Sequence, residues 1–296
     1  MELTTSPDAF REECEAARAQ GQTVGFVPTM GALHEGHASL LRRASEECGF
    51  VALSIFVNPL QFGPAEDLAT YPRSLDDDRS LAEGLGCDHV FAPTEAELYP
   101  LGRPEVTVDA GPLGDRLEGA SRPGHFGGVL TVVNKLFNLT GPCRAYFGEK
   151  DAQQLALVGR MVRDMNASVT VVPCPTVRET DGLAISSRNA YLSEEEREAA
   201  PVLFDALTAA AGLVRRGERR GDVLRAEMAK RIGAEPLARM DYVAVVDDRT
   251  WEDVEVIAGP ARALVAARLG KPRLIDNVSL PWEAAWSVQN SGAEGG

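Results

Sequence analysis

Two imidazoles, His34 and His37, stand three residues apart in the run Val27-Pro28-Thr29-Met30-Gly31-Ala32-Leu33-His34-Glu35-Gly36-His37. A single histidine is usually a satisfied core or surface residue. This chain has only four, however, and two of them share one glycine-flanked turn. Glycine lets a backbone come close to a ligand. A helix beginning near His37 would offer free N–H groups and the positive end of its dipole to an anion. Two ring N–H donors beside such a terminus suit a cluster of phosphate oxygens. A zinc site is the weaker reading, because His-Glu-Gly-His is one residue short of the H-E-x-x-H spacing that puts two ligands and a base on one helix face.

Four further segments carry donors. Asn58-Pro59-Leu60-Gln61-Phe62-Gly63 follows an apolar strand-like run and offers two amides to a hydroxyl or carboxylate. Tyr71-Pro72-Arg73 and Asp76-Asp77-Asp78 come next. The three acids could approach magnesium, but acids at a helix start are more often dipole partners. Arg122-Pro123-Gly124-His125-Phe126-Gly127-Gly128 brings a cation and a third imidazole into a glycine-rich loop. Phe147-Gly148-Glu149-Lys150-Asp151-Ala152-Gln153-Gln154 runs from a strand into a helix, with Lys150 at the helix start and Gln154 one turn on. Ile185-Ser186-Ser187-Arg188-Asn189 joins two hydroxyls to a guanidinium, a phosphate-binding set. Taken singly, each could be an ordinary turn or cap. Ser193 and Glu196 have capping-box spacing.

The elements that must hold these loops alternate. Ser6-Pro7-Asp8 opens a helix that Gly21 stops. Thr23–Val27 and Phe50–Val57 read as buried strands, and His37–Cys48 between them as a helix with one apolar face. Ser74–Leu85 is helical and His89–Phe91 a short strand. The alternation continues through a helix at Val129–Leu139, a strand at Ala145–Phe147, a helix at Asp151–Met165 and a strand at Ser168–Val172. This is an α/β pattern, a doubly wound parallel sheet with helices on both faces. It places the loops at the carboxyl ends of strands, where open sheets bind ligands. Near Pro173 and Pro175 the pattern changes, so residues 1–175 form one expected domain and 176–280 a second, smaller one. The second holds one long helix, Ser193–Arg216, another at Asp222–Ile232, and strands at Tyr242–Val246 and Arg262–Ala267. Arg215–Arg220 reads as a solvated helix end. Residues 281–296 are an expected flexible tail.

The composition limits the alternatives. Thirty Lys and Arg against 44 Asp and Glu leave a formal charge of −14. That balance argues against a general nucleic-acid or anionic-membrane surface, although a few cations in one cleft can still gather a small anion. No apolar run spans a bilayer, and Met1–Arg11 does not read as a signal peptide. The five scattered cysteines lack C-x-x-C spacing and read as reduced thiols of a cytoplasmic protein.

Together the strings P-T-M-G-A-L-H-E-G-H, V-N-P-L-Q-F-G, R-P-G-H-F-G-G-V, F-G-E-K-D-A-Q-Q and I-S-S-R-N resemble the pantoate–β-alanine ligases, the pantothenate synthetase family, in order from about Gly25 to Asn189. The H-x-G-H element alone is shared by the wider nucleotidyltransferase superfamily. The resemblance implies a Rossmann-like first domain, a smaller C-terminal α+β lid and a homodimer. It implies ATP-dependent condensation of (R)-pantoate with β-alanine through a pantoyl-adenylate, releasing AMP and pyrophosphate, with Mg2+ on the phosphates. Carried onto this chain, ATP falls to Met30, Gly31, Ala32, Leu33, His34, Glu35, Gly36 and His37, to Gly148, Glu149, Lys150 and Asp151, and to Val177, Ile185, Ser186, Ser187 and Arg188. His37 is the implied proton donor; His34, Lys150, Ser186, Ser187 and Arg188 are its catalytic companions. Substrate falls to Gln61, Gln154, Asn58, Arg122, His125 and Tyr71. No protein metal ligand is implied. Ile185 stands where the family more often has Met or Leu. Two other readings stand beside this one: a different adenylyl or nucleotidyl transferase, and a nucleotide-sensing protein without catalysis.

Overall fold

A computed structural model of the chain describes residues 1–63, 68, 71 and 74–281. Pro72, Arg73 and all but the first residue of the expected tail lie outside the described residues. The chain forms two compact units, Met1–Val177 and Arg178–Gly296.

The first unit runs β1 (Glu2–Thr4), α1 (Pro7–Ala19), β2 (Val24–Thr29), α2 (Glu35–Glu47), β3 (Phe50–Ile55), α3 (Leu75–Gly84) and β4 (His89–Phe91). Two short helices follow, α4 (Glu95–Leu98) and α5 (Glu118–Ser121), then α6 (His125–Thr140), β5 (Cys143–Gly148), α7 (Ala152–Asp164) and β6 (Val169–Cys174). The strands form one parallel sheet in the order β1-β4-β3-β2-β5-β6. Successive side chains of a strand point to opposite faces, and here both faces are apolar. Val27, Leu53, Val90, Tyr146 and Val172 pack under Leu40, Leu41 and Ala44 of α2. On the other face, Phe10 of α1 stacks on Phe91 with ring centroids 4.6 Å apart, and Phe26 meets Phe137 of α6 edge-on at 6.5 Å. From β2 the chain moves outward to β3 and β4, then returns past β2 to β5 and β6. That reversal opens a crevice beyond the carboxyl ends of β2 and β5.

The second unit contains α8 (Glu194–Ala199), α9 (Val202–Arg215), α10 (Gly221–Gly233) and three antiparallel strands, β7 (Ala238–Asp247), β8 (Ala261–Leu269) and β9 (Arg273–Leu280), in the order β7-β8-β9. Leu203, Leu207 and Ala210 of α9 and Leu224, Met228 and Ile232 of α10 bury one face of that sheet against Val245, Val265 and Ala267.

Several boundaries differ from the sequence reading, each for a physical reason. The expected long helix divides into α8 and α9 at Pro201, which has no N–H to donate and whose ring crowds the preceding turn. The Ser193–Glu196 capping box is formed at the start of α8. α2 begins at Glu35 rather than His37, because His34 itself serves as its N-cap. α6 begins at His125, directly after Gly124 at φ 79°, so half of the third loop is a helical turn. β9 has no clear sequence signal, because Asp276 and Asn277 interrupt its apolar pattern. Both are buried, since Arg178 grips Asp276 at 2.6 and 2.9 Å and Arg262 donates to Asn277 Oδ1 at 2.6 Å. β1 is only three residues long, too short to show a period.

Candidate active site

The β2–α2 loop, Met30 to Gly36, is shaped by hydrogen bonds within the first unit. Gly31 has φ 82° and Ala32 has φ 51°, a left-handed conformation that costs energy for a residue bearing a Cβ. What holds Ala32 there is a carboxylate from α3. Asp78 accepts from the amides of Ala32 at 3.0 Å and Leu33 at 2.7 Å, and it is only 3% exposed. Burial raises its pKa, while the two amide bonds oppose that rise. From the sequence alone Asp78 is expected to be a dipole partner or an approach to magnesium. Its placement makes it the clamp of the loop. Asp78→Ala would leave two amides without an acceptor, at about 1–3 kcal/mol for each one buried. The expected result is a lower melting temperature. A variant with a wild-type melting temperature would contradict the clamp.

The two histidines of the loop hold each other. Their ring centroids are 4.1 Å apart. His34 Nδ1 accepts from the Gly36 amide at 3.1 Å, and His37 Nδ1 accepts from the His34 amide at 3.4 Å. A backbone N–H can only donate, so in both rings Nδ1 is the acceptor and the neutral tautomer carries its proton on Nε2. Burial, then Lys150, lowers the His34 pKa; burial and His34 lower that of His37 to about 3. Each ring therefore offers one N–H donor and no charge at neutral pH. Between pH 6.5 and about 3 the unfolded chain binds protons that folded His37 refuses, so stability falls as pH drops through that window and is unaffected by this group above it. Imidazole NMR of the free protein should find both rings as Nε2–H at neutral pH and titrating below 6.5. A ring titrating above that value would contradict the geometry. Glu35 turns outward and pairs with Arg42 at 2.6 Å.

The other loops of the first unit converge on this one. Gln61, in the 3-10 turn Pro59–Gln61, places Nε2 3.0 Å from the Met30 sulfur. Asn58 caps that turn and donates to Gln61 Oε1 at 3.1 Å. His125 Nδ1 donates to the Gln61 carbonyl at 2.8 Å, so its Nε2 accepts from Arg122 at 2.9 Å. Tyr71 is buried edge-on to Phe62, with centroids 5.9 Å apart. After β5, Gly148 leads into a 3-10 turn, Glu149–Asp151, that feeds α7. Lys150 Nζ lies 3.5 Å from Asp151 Oδ1 and acts electrostatically on both His34 and His37. Gln154 is half-buried in the first turn of α7. Its neighbour Gln153, not singled out by sequence, is buried and ties the chain before α6 through Leu113 O, Arg116 O and the Glu118 amide. Four of the five segments thus belong to the strand tips of one unit.

Val177 is the last residue of that unit. Ile185, Ser186, Ser187 and Arg188 belong to the second unit, where Ser186 caps the 3-10 turn Ser187–Tyr191 and its Oγ accepts from the Arg188 amide at 3.3 Å.

Comparison with known proteins gives one consistent result. Residues 2–279 match the sequence profile described as Pantoate-beta-alanine ligase. The chain is 54% identical to the pantothenate synthetase of Rubrobacter xylanophilus, covering 94% of this chain and 98% of that protein. It is 56% identical to that of Heliobacterium modesticaldum, over 92% and 97% of the two chains. The crystal structure of pantothenate synthetase from Thermus thermophilus superposes with a TM-score of 0.88 at 48% identity, covering 94% of this chain and 99% of that one. The pantoate-beta-alanine ligase of Francisella tularensis, complexed with beta-gamma ATP and β-alanine, superposes at 0.76 with 34% identity, over 94% and 97%. With a profile match spanning nearly the whole chain and relatives more than half identical to it, the protein belongs to the pantoate–β-alanine ligase family.

Proposed function

We propose that the chain joins (R)-pantoate to β-alanine at the expense of ATP, releasing AMP and pyrophosphate. The observation that carries this reading is the convergence of the His34–His37 pair, Lys150 and Gln61 at the tips of β2, β3 and β5, in a member of this family. A carboxylate acylates an amine poorly because its oxygen is a poor leaving group. In the first step a pantoate carboxylate oxygen attacks the α-phosphorus, and the bond to pyrophosphate breaks. In the second, the neutral amine of β-alanine attacks the acyl carbon, and AMP leaves with that carboxylate oxygen. The protein's task is to align the partners and to meet the charge spread over phosphate oxygens.

Met30–His37 and Gly148–Asp151 are assigned to ATP, with the Nε2–H groups of His34 and His37 and the Lys150 ammonium on its phosphates. Because His37 is neutral in the free chain, it enters as a hydrogen-bond donor, and any proton it carries is acquired as the phosphates arrive. The family resemblance also assigns Val177, Ile185, Ser186, Ser187 and Arg188 to ATP, and Gln61 and Gln154 to pantoate. Tyr71, Arg122 and His125 complete the substrate side, whereas Asn58, expected there from the sequence, has its side-chain amide engaged by Tyr99, Leu60, Gln61 and Gly128.

Magnesium fits as an ion carried on the triphosphate. Among the described residues, the group of three potential ligands, Glu2, Glu13 and His89, sits on β1, α1 and β4 and not in the strand-tip loops. Asp78, on α3, and Asp151, in the turn before α7, are engaged with the loop amides and with Lys150. When bound, the ion would supply neutralisation of phosphate charge. The family resemblance also supports a homodimer and a cytoplasmic location, and no described helix is long and apolar enough to cross a membrane.

The test is a turnover assay with ATP, pantoate and β-alanine, omitting each in turn, with AMP and pantothenate both measured. Both products should require all three substrates. ATP binding without AMP formation would favour a sensor, and AMP formation with amino acids in place of pantoate a different adenylyl transferase.

A further inference from the structure

Tyr99 belongs to none of the motifs above. It follows α4, is 4% exposed, and sets its ring edge-on against Phe56 with centroids 5.8 Å apart. Its hydroxyl donates to Asn58 Oδ1 at 2.9 Å. Asn58, 1% exposed, then has its whole side-chain amide in use. Oδ1 accepts from Tyr99 and from the Leu60 amide at 3.3 Å, while Nδ2 donates to Gln61 Oε1 and to Gly128 O, each at 3.1 Å. A primary amide makes about four such bonds, so nothing is left for a ligand. The amide cannot be reversed either, because the Gly128 carbonyl only accepts and the Leu60 N–H only donates.

The consequence falls on Gln61. Its Oε1 accepts from Asn58, which fixes which way the amide faces, and its Nε2 meets the Met30 thioether, a weak acceptor. The side of Gln61 turned toward Met30 is thus its amino group, an N–H donor whose matching group on a ligand is an oxygen acceptor. We propose that Tyr99 is a positioning residue for the hydroxy-acid substrate: its phenol completes the bonds of Asn58, which in turn fixes Gln61 with its amino group toward a substrate oxygen. Burial pushes the phenol pKa upward, so the group stays a donor throughout the neutral range. Asn58 acts through Gln61 and not by touching substrate.

This inference rests on reading Gln61 as a pantoate ligand, and the test separates the two. Steady-state kinetics and thermal melts are measured for Tyr99→Phe, Gln61→Ala and the double variant. Tyr99→Phe keeps the ring and removes one hydrogen bond, and it should raise the KM for pantoate about tenfold with the KM for ATP unchanged. Gln61→Ala should raise it at least as much. In that background Tyr99→Phe should add nothing, a coupling that a merely structural phenol would not show. If Gln61→Ala leaves the pantoate KM unchanged, the underlying reading fails. If Gln61→Ala raises it while Tyr99→Phe does not, or if the two effects multiply, the positioning role fails and the reading survives. Gln61→Glu checks the donor without touching Tyr99. An oxygen in place of the amino group should bind pantoate more weakly than Gln61→Ala does, and equal or tighter binding would overturn the assignment.

Discussion

Replacing His37 with alanine should lower the rate of pantoyl-adenylate formation by about 10²–10³-fold, the loss that follows removal of one preorganised donor to developing charge. The ring offers a single Nε2–H, because its Nδ1 accepts the His34 amide. Its loss also removes half of the reciprocal cap at the start of α2, at a cost of about 1 kcal/mol, which the rest of the first unit can absorb. The effect should therefore appear in the rate and not in the fold. Lys150→Ala should cost a comparable factor, since Lys150 is the ammonium that acts on both imidazoles. Rapid-quench measurement of pyrophosphate release from ATP and pantoate, without β-alanine, isolates this step. If both variants kept near-normal rates, the assignment of the phosphate donors would be wrong.

The second large effect is structural in origin. A Cβ on Gly128 would lie 2.2 Å from the Leu60 carbonyl oxygen and 2.7 Å from the Gln61 amide nitrogen, well inside contact distance. α6 and the 3-10 turn Pro59–Gln61 approach so closely that backbone meets backbone, and neither atom can swing away as a flexible side chain would. Gly128→Ala should cost about 1–3 kcal/mol in stability. Because the displaced turn carries Gln61, it should also raise the pantoate KM by an order of magnitude or more, while ATP binding changes little. The control is Gly159→Ala in the interior of α7, where an added Cβ meets nothing within 4 Å. A helix interior with that much room should gain up to about 1 kcal/mol. Melting curves and substrate KM values for the two variants check both statements, and wild-type behaviour of Gly128→Ala would show that the turn does not depend on this contact.

What could be read directly in the sequence was local. Phe50–Ile55 is apolar except for Ser54, as befits a strand covered on both faces, and Leu40, Leu41 and Ala44 repeat at helical spacing. His34, His37, Gln61 and Lys150 stood out because each closes a strand or opens a helix. What escaped was set by partners distant along the chain. Asp78 is one acid in a run of three until Ala32 and Leu33 donate to it from 46 and 45 residues away. Tyr99 reaches Asn58 across 41 residues, and Gln153 reaches Leu113 across 40. Burial of Asp276 and Asn277 depends on two arginines elsewhere in the second unit, so polarity disguised a strand. Pro201 was visible all along, but the strong helix propensity on either side of it outweighed its break.

In the proposed reaction the strand-tip loops of the first unit bring a carboxylate oxygen of the hydroxy acid onto the α-phosphorus of ATP. Turnover with pantoate labelled with ¹⁸O in its carboxylate, followed by mass spectrometry of the products, tests it directly. One labelled oxygen should appear in AMP, none in pyrophosphate, and the other should remain in the amide carbonyl of pantothenate. Label in pyrophosphate, or unlabelled AMP formed alongside pantothenate, would contradict it.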